Sequence, residues 1–531
     1  MASRRLALAP APSRTLHSPA DPAPQRRGTP HTGAVSEAPL RRVGWLGARY
    51  RPALLAAACG LVALGAGALF PVDPKMGIAV LLGAATVVVV LVRPIVGGLL
   101  LVGLVPATSG FASGFPVAHV RISEALVGAV GVTLIAFVRR HDAVPWQALD
   151  WVLLAYGMCW AAMGVVAAKS LGQHLSLEQW GTVFGQLQFF LIYRGVRIAV
   201  RTAEERRMAI WALVVAGVPV ALLAVLQETK APGIASLLAR LTGGLTGGSV
   251  GTGTSGPLIR VTGPFVNWAA LAGFLLPVVL VVVALAVSGV PLARRPWFVG
   301  AGVLAAVALA LTLEQSAILC VLVGVVVLVA RCEQRARLMR WVVAGLVVVA
   351  LVAGPFLVAR LFQELGGGAG TGRVGWVPQT LGFRWGVWTR QYLPAIGARP
   401  LTGYGVVLPS SIHWAWPESQ YISFLMEGGV PMLAMFAVLA WSMLDGARAA
   451  ARSPDAVRRA LGLASVITVV AMVVMNATWP FLSNGGMPQA LWALMALAVP
   501  DTLGDRARAA APGWELLHPA PGPSSSARVL T

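Results

Sequence analysis

The chain has 531 residues, of which 57% are hydrophobic and only 11% charged, and its mean hydropathy is +0.76. A soluble domain carries about 25% charged residues, so there is too little polar surface here to cover the apolar mass in water. This is the composition of a polytopic membrane protein, and it excludes soluble enzymes, secreted disulfide scaffolds and disordered chains. The net charge of +21 has to be mapped before it is read as a nucleic-acid signal, because cytoplasmic loops of membrane proteins collect basic residues in any case.

In chain order, residues 1–51 are rich in Pro, Arg, Ala and Ser and end in Arg41, Arg42, Arg49 and Arg51. They predict a disordered basic cytoplasmic tail that stops at the membrane; the first apolar run begins too far from Met1 for a cleaved signal peptide. Apolar runs long enough to cross about 30 Å of hydrocarbon follow. Fourteen can be drawn, at roughly 52–70, 76–92, 94–112, 121–138, 149–168, 181–198, 208–226, 264–289, 297–312, 315–330, 341–358, 418–442, 460–478 and 487–501. Backbone polar groups in hydrocarbon must pair within their own segment, so these runs predict helices. The expected fold is all-α, a polytopic integral membrane protein with about 12–14 transmembrane helices. Its expected organisation is transmembrane helices over 52–358, a large extracytoplasmic loop over 359–417, further transmembrane helices over 418–503, and a disordered cytoplasmic tail over 504–531.

Charge sets the orientation. With the N-terminus inside, 30 of the 41 Arg and Lys residues fall on the cytoplasmic side or in the tails, as the positive-inside rule demands. The clusters Arg139–Arg140, Arg194 to Arg207, Arg294–Arg295, Arg331 to Arg340 and Arg448 to Arg459 each follow an even-numbered crossing. Both termini are therefore expected in the cytoplasm. Most of the +21 is topology, and no nucleic-acid partner is implied. With 38 Arg against 3 Lys and abundant Ala, Gly and Pro, the usage points to a high-GC bacterial genome and so to a bacterial cytoplasmic membrane.

The cysteines Cys59, Cys159, Cys320 and Cys332 are scattered with no CxxC spacing, which indicates neither a disulfide framework nor a zinc site. No metal site is expected. The Gly-rich stretches 243–256 and 366–372 lack GK[ST], so they read as flexible linkers rather than a P-loop.

Two outer connections are long, 227–263 and 359–417, and loops of this length are usually functional or disordered. The larger carries Arg360, Arg373, Arg384, Arg390 and Arg399 with Trp376, Trp385, Trp388, Tyr392, Tyr404, His413, Trp414 and Trp416. Helical spacing of Trp385, Trp388 and Tyr392 predicts a short helix on the membrane surface. Trp and Tyr there suit either sugar rings or an interfacial belt. Arginines placed against the sign rule point instead to an anionic ligand, since guanidinium recognises phosphate bidentately.

Three stretches then go together. They are Arg260-Val-Thr-Gly-Pro-Phe265-Val-Asn267; Arg384 followed by Trp388 and then Arg399-Pro-Leu-Thr-Gly403-Tyr-Gly405; and Glu418-Ser-Gln-Tyr421-Ile-Ser-Phe-Leu425-Met-Glu427-Gly-Gly429. In order and spacing they resemble the O-antigen ligase and polymerase family of bacterial membrane glycosyltransferases. The likeness covers about 170 residues, 260 to 429. It implies transfer of a polyprenyl-pyrophosphate-linked glycan on the outer face of the membrane, in cell-surface polysaccharide biosynthesis, without metal, nucleotide or other cofactor. It also implies membrane lipid and the lipid-linked glycan as partners, with other polysaccharide-assembly proteins compatible. Carried over by position, Arg260 and Arg384 would hold the pyrophosphate, with Arg390 and Arg399 as further candidates, and Trp388 and Tyr421 would stack on glycan or lipid unless they serve packing.

Two departures from the family pattern stand out. The usual His-Asn at the opening of the last motif is Glu418-Ser419 here, so the general base is either Glu418, which keeps the motif's place, or His413, five residues earlier. An inactive homologue in which Glu418 only pairs with an arginine is the structural alternative. Glu314-Gln315-Ser316 stands where the family often has Ser-Arg-Gly, replacing a cation with a carboxylate near the outer face. Glu427 reads as a packing residue. The rival function is a polysaccharide or lipid-linked sugar transporter or flippase, which would place ionisable groups at mid-membrane; the helix centres here are almost uncharged.

Overall fold

The computed structural model describes residues 74–111, 121–138, 144–243, 260–331, 335–365, 379–483 and 485–499, all within one unit that runs from Cys59 to Thr531. The expected tails and the first apolar run, 52–70, lie outside the described residues. Every other apolar run becomes helix. In order these are α1 (Pro74–Val92), α2 (Pro94–Thr108), α3 (Ile122–Phe137), α4 (Ala148–Ser170), α5 (Leu177–Gly185), α6 (Leu187–Ala199), α7 (Ala203–Glu228) and the short α8 (Ile234–Leu241). Then follow α9 (Trp268–Val287), α10 (Pro296–Leu311), α11 (Gln315–Ala330), α12 (Arg335–Leu365), α13 (Gln379–Val387), α14 (Leu393–Ala398), α15 (Gln420–Ala451), α16 (Ala456–Met475) and α17 (Met487–Ala498). There is no strand among the described residues. By length and composition, α4, α7, α9, α12, α15 and α16 are each able to cross a membrane, and six shorter apolar helices accompany them. The chain is thus an all-helical polytopic membrane protein.

Sequence and structure part company in two places. The run 181–198 is not one helix: α5 and α6 meet at Gln186, and α5 exposes Leu177, Trp180 and Phe184. The run expected to start at residue 418 starts its helix at Gln420, which leaves Glu418 two residues outside it.

Burial separates centre from periphery. In α9, 83% of the apolar window is buried, against 6% in α12, so α9 is the hub and α12 faces its surroundings. Phe265, Phe274, Phe298 and Trp492 are among the large side chains fully buried in this core.

The two ends of the bundle differ in charge. At the end holding the N-termini of α4, α7 and α16, Asp150 is buried between two arginines, Arg197 Nη1 at 2.5 Å and Arg194 Nη1 at 3.4 Å. Arg206 reaches Asp455 at 3.7 Å there. Burying two guanidiniums is costly unless a carboxylate and hydrogen bonds compensate; Arg194 also donates to the Val144 carbonyl at 2.7 Å. The opposite end, with the N-termini of α9, α15 and α17, carries the residues singled out by the motifs.

Candidate functional site

Each motif has a structural reason. In the first, the Gln227 Oε1 at the end of α7 accepts the Thr262 and Gly263 N–H groups, at 2.9 and 2.8 Å, and pins the strand-like approach to α9. Asn267 caps α9, its Oδ1 accepting the Ala270 N–H at 2.8 Å, as a helix start requires. Arg260 is thereby fixed at the head of the bundle. Its guanidinium lies 4.1 Å from the Trp268 ring centroid, donates to the Thr312 and Leu313 carbonyls at 3.1 Å each, and meets Glu314 Oε2 at 2.8 Å. Ser316 Oγ donates to the other Glu314 oxygen at 2.8 Å.

The second and third motifs interlock. Pro431 has no N–H and blocks the carbonyl one turn back, and Gly429 breaks α15 at φ 65°. The loop at 400–405 repairs the break: Tyr404 N–H donates to Met426 O at 2.6 Å, Gly405 N–H to Glu427 O at 3.1 Å, and Val430 N–H to Pro400 O at 2.7 Å. Gly403 sits at φ 60°, and a Cβ there would collide with the Met426 carbonyl. The glycines of both motifs therefore serve one backbone crossing. Glu427 lines a small cavity with Trp160, Met163 and Met432.

Between α13 and α14 the helix widens to a π-turn, Trp388–Tyr392, a form that recurs at functional sites. The turn clamps the segment before Glu418. Trp388 Nε1 donates to Pro417 O at 2.6 Å, Tyr392 Oη to Trp414 O at 2.6 Å, and Gln391 Oε1 accepts the His413 and Trp414 N–H groups at 2.9 and 3.1 Å. Arg384 lies one turn before Trp388 and directs its Nε to Glu418 Oε2 at 3.4 Å.

Glu418 is 8% exposed and adopts φ 56°, a left-handed conformation that costs a non-glycine residue roughly 1–3 kcal/mol and clusters at functional sites. Leu313, whose carbonyl takes Arg260, is also left-handed at φ 53°. Burial holds the Glu418 carboxyl above the ordinary carboxylate range, against the pull of Arg384, and the nearby Glu314 charge pushes the same way as burial. The charge of the second ion pair is thus felt at Glu418.

Of the sequence candidates, Arg384 and Glu418 form one ion pair, and Arg260 forms another with Glu314, whose charge acts on Glu418. His413 is exposed, and only its backbone N–H is engaged, by Gln391. Arg390 is exposed with no ion pair or hydrogen bond to a described residue. Arg399 turns to Ser170 Oγ at 2.9 Å and stacks 5.7 Å from the Tyr404 ring. Trp388 spends its indole N–H on Pro417, and Tyr421 Oη donates to Val473 O at 2.5 Å, so both have structural duties. The site list drawn from the sequence lacked Glu314, Trp268 and Gln391. Glu314 had a signal, as a carboxylate out of pattern; the other two had none. Among the described residues no three His, Cys, Asp or Glu side chains gather as metal ligands.

No curated protein matches the chain. The family described as O-antigen ligase matches residues 300–437, from α10 through the break in α15, and includes Glu314, Arg384, His413 and Glu418 while leaving Arg260 outside. Over that stretch the chain is similar to the O-antigen ligase family, which bears out the resemblance read from the second and third motifs.

Proposed function

We propose that this chain is a metal-independent membrane glycosyltransferase that transfers a polyprenyl-pyrophosphate-linked glycan to an acceptor hydroxyl on the outer face of a bacterial cytoplasmic membrane, as a polymerase or a ligase of cell-surface polysaccharide. The observation that carries this reading is Arg384 paired with a buried, conformationally strained Glu418, with a second pair, Arg260 and Glu314, whose charge acts on Glu418. The sorting of basic side chains to the opposite end of the bundle supports placing this site outside.

In the reaction, the acceptor hydroxyl gives its proton to the Glu418 carboxylate as its oxygen bonds to the anomeric carbon. The bond from that carbon to the pyrophosphate oxygen breaks, and its electron pair stays on the pyrophosphate. Arg384 and Arg260 stabilise the negative charge that develops on this leaving group, and fixed guanidiniums in a water-poor site are effective in that role. One in-line displacement inverts the anomeric configuration. When the diphosphate takes Arg384, Glu418 loses its counter-charge and becomes a stronger base.

The test is polymer formation in cells carrying Arg384→Ala or Glu418→Gln. Each is expected to reduce transfer by about two to three orders of magnitude, in line with loss of a charge-stabilising donor or a general base, while the protein stays in the membrane. Lipid-linked glycan should then build up in the outer leaflet. Its retention in the inner leaflet would show a flippase, and normal polymer in both variants would remove the catalytic assignment.

A further inference from the structure

Each of the two arginines is held by a carboxylate: Arg260 by Glu314, and Arg384 by Glu418. Glu418 has chemical work to do, but Glu314 is the carboxylate at which the chain leaves its family pattern, and its two oxygens are taken by Arg260 and Ser316. The Arg260–Glu314 pair is largely withdrawn from solvent, at 16% and 9% side-chain exposure. A carboxylate contact at 2.8 Å uses the same guanidinium hydrogens a phosphate would use.

From this geometry we propose that Glu314 is a positioning residue that acts as a built-in competitor, occupying Arg260 until a diphosphate headgroup displaces it. The inference rests on the reading of the site given above and adds a specific role to it. The pairing spares Arg260 the cost of a buried uncompensated cation and keeps it over Trp268, aligned by the Thr312 and Leu313 carbonyls. On binding, the diphosphate must outcompete a tethered carboxylate, so the site yields to a multiply charged ligand and resists weak anions.

The consequence runs opposite to that of ordinary damage to a site: removing this acid should tighten binding. The experiment is titration of the detergent-solubilised full chain with inorganic pyrophosphate. Glu314→Gln should raise affinity about tenfold. Glu314→Asp, which keeps the charge but draws the carboxylate back from its 2.8 Å contact with Arg260, should raise it about two- to threefold and serves if the first variant folds poorly. In the Arg260→Ala background Glu314→Gln should add nothing. Unchanged or weaker binding in both single variants overturns the competitor role. If Arg260→Ala and Arg384→Ala bind pyrophosphate as the native chain does, the reading of the site itself fails; if they lose binding while Glu314→Gln gains none, only this inference does.

Discussion

Glu418 and His413 illustrate how environment assigns a role. His413 is exposed on a segment held through its backbone, whereas Glu418 is buried against Arg384. A carboxylate accepts a proton only when ionised, so transfer should fall as pH drops through the Glu418 pKa. Burial raises that pKa, so the fall should begin at a higher pH than an exposed carboxylate would give. Since bound diphosphate removes the Arg384 counter-charge, the acidic limb of kcat should lie above that of kcat/KM, which reports the free enzyme. Coincident limbs in measured pH profiles would count against this account. His413→Ala should keep transfer within about threefold of native, as expected for a side chain outside the chemistry; a loss comparable to that of Glu418→Gln would reassign the base.

At the scale of elements, the decisive feature is the broken α15. A proline in a helix interior usually kinks it and strands a carbonyl; here the loop at 400–405 supplies the missing donors. The break and the π-turn at Trp388–Tyr392 belong to one packed cluster, in which Tyr392, Met426 and Val387 pack together with Trp388 and Tyr404 around them. Gly403→Ala combines a left-handed backbone with a collision at the Met426 carbonyl, so it should destabilise by at least about 1–3 kcal/mol and lower the thermal midpoint in detergent. Gly397→Ala, an exposed helical position with open space around its Cα, is the matched control and should leave the midpoint within a degree or two. A wild-type midpoint for Gly403→Ala would show that the crossing at 403–429 is not needed.

For the whole molecule, the placement of the site outside is open to direct measurement. In a background without the four native cysteines, an impermeant thiol reagent should label Ser410→Cys, exposed eight residues before Glu418, on intact cells. It should reach Glu204→Cys, exposed at the opposite end, only after permeabilisation; the reverse pattern would invert the proposed topology. Class and most helix positions were legible in the sequence because hydropathy acts locally, one segment at a time. The motifs were legible too, but not the reasons for their spacing. Arg384 meets Glu418 across 34 residues, and Arg260 meets Glu314 across 54. Nothing in either neighbourhood encodes those meetings, because pairing at such separations depends on how helices pack and where α15 breaks. Sequence alone thus determined a helical membrane protein with aromatics and arginines gathered in one long connection; which carboxylates hold those arginines was decided only by the tertiary structure, since contacts between distant segments exist only once the bundle has formed.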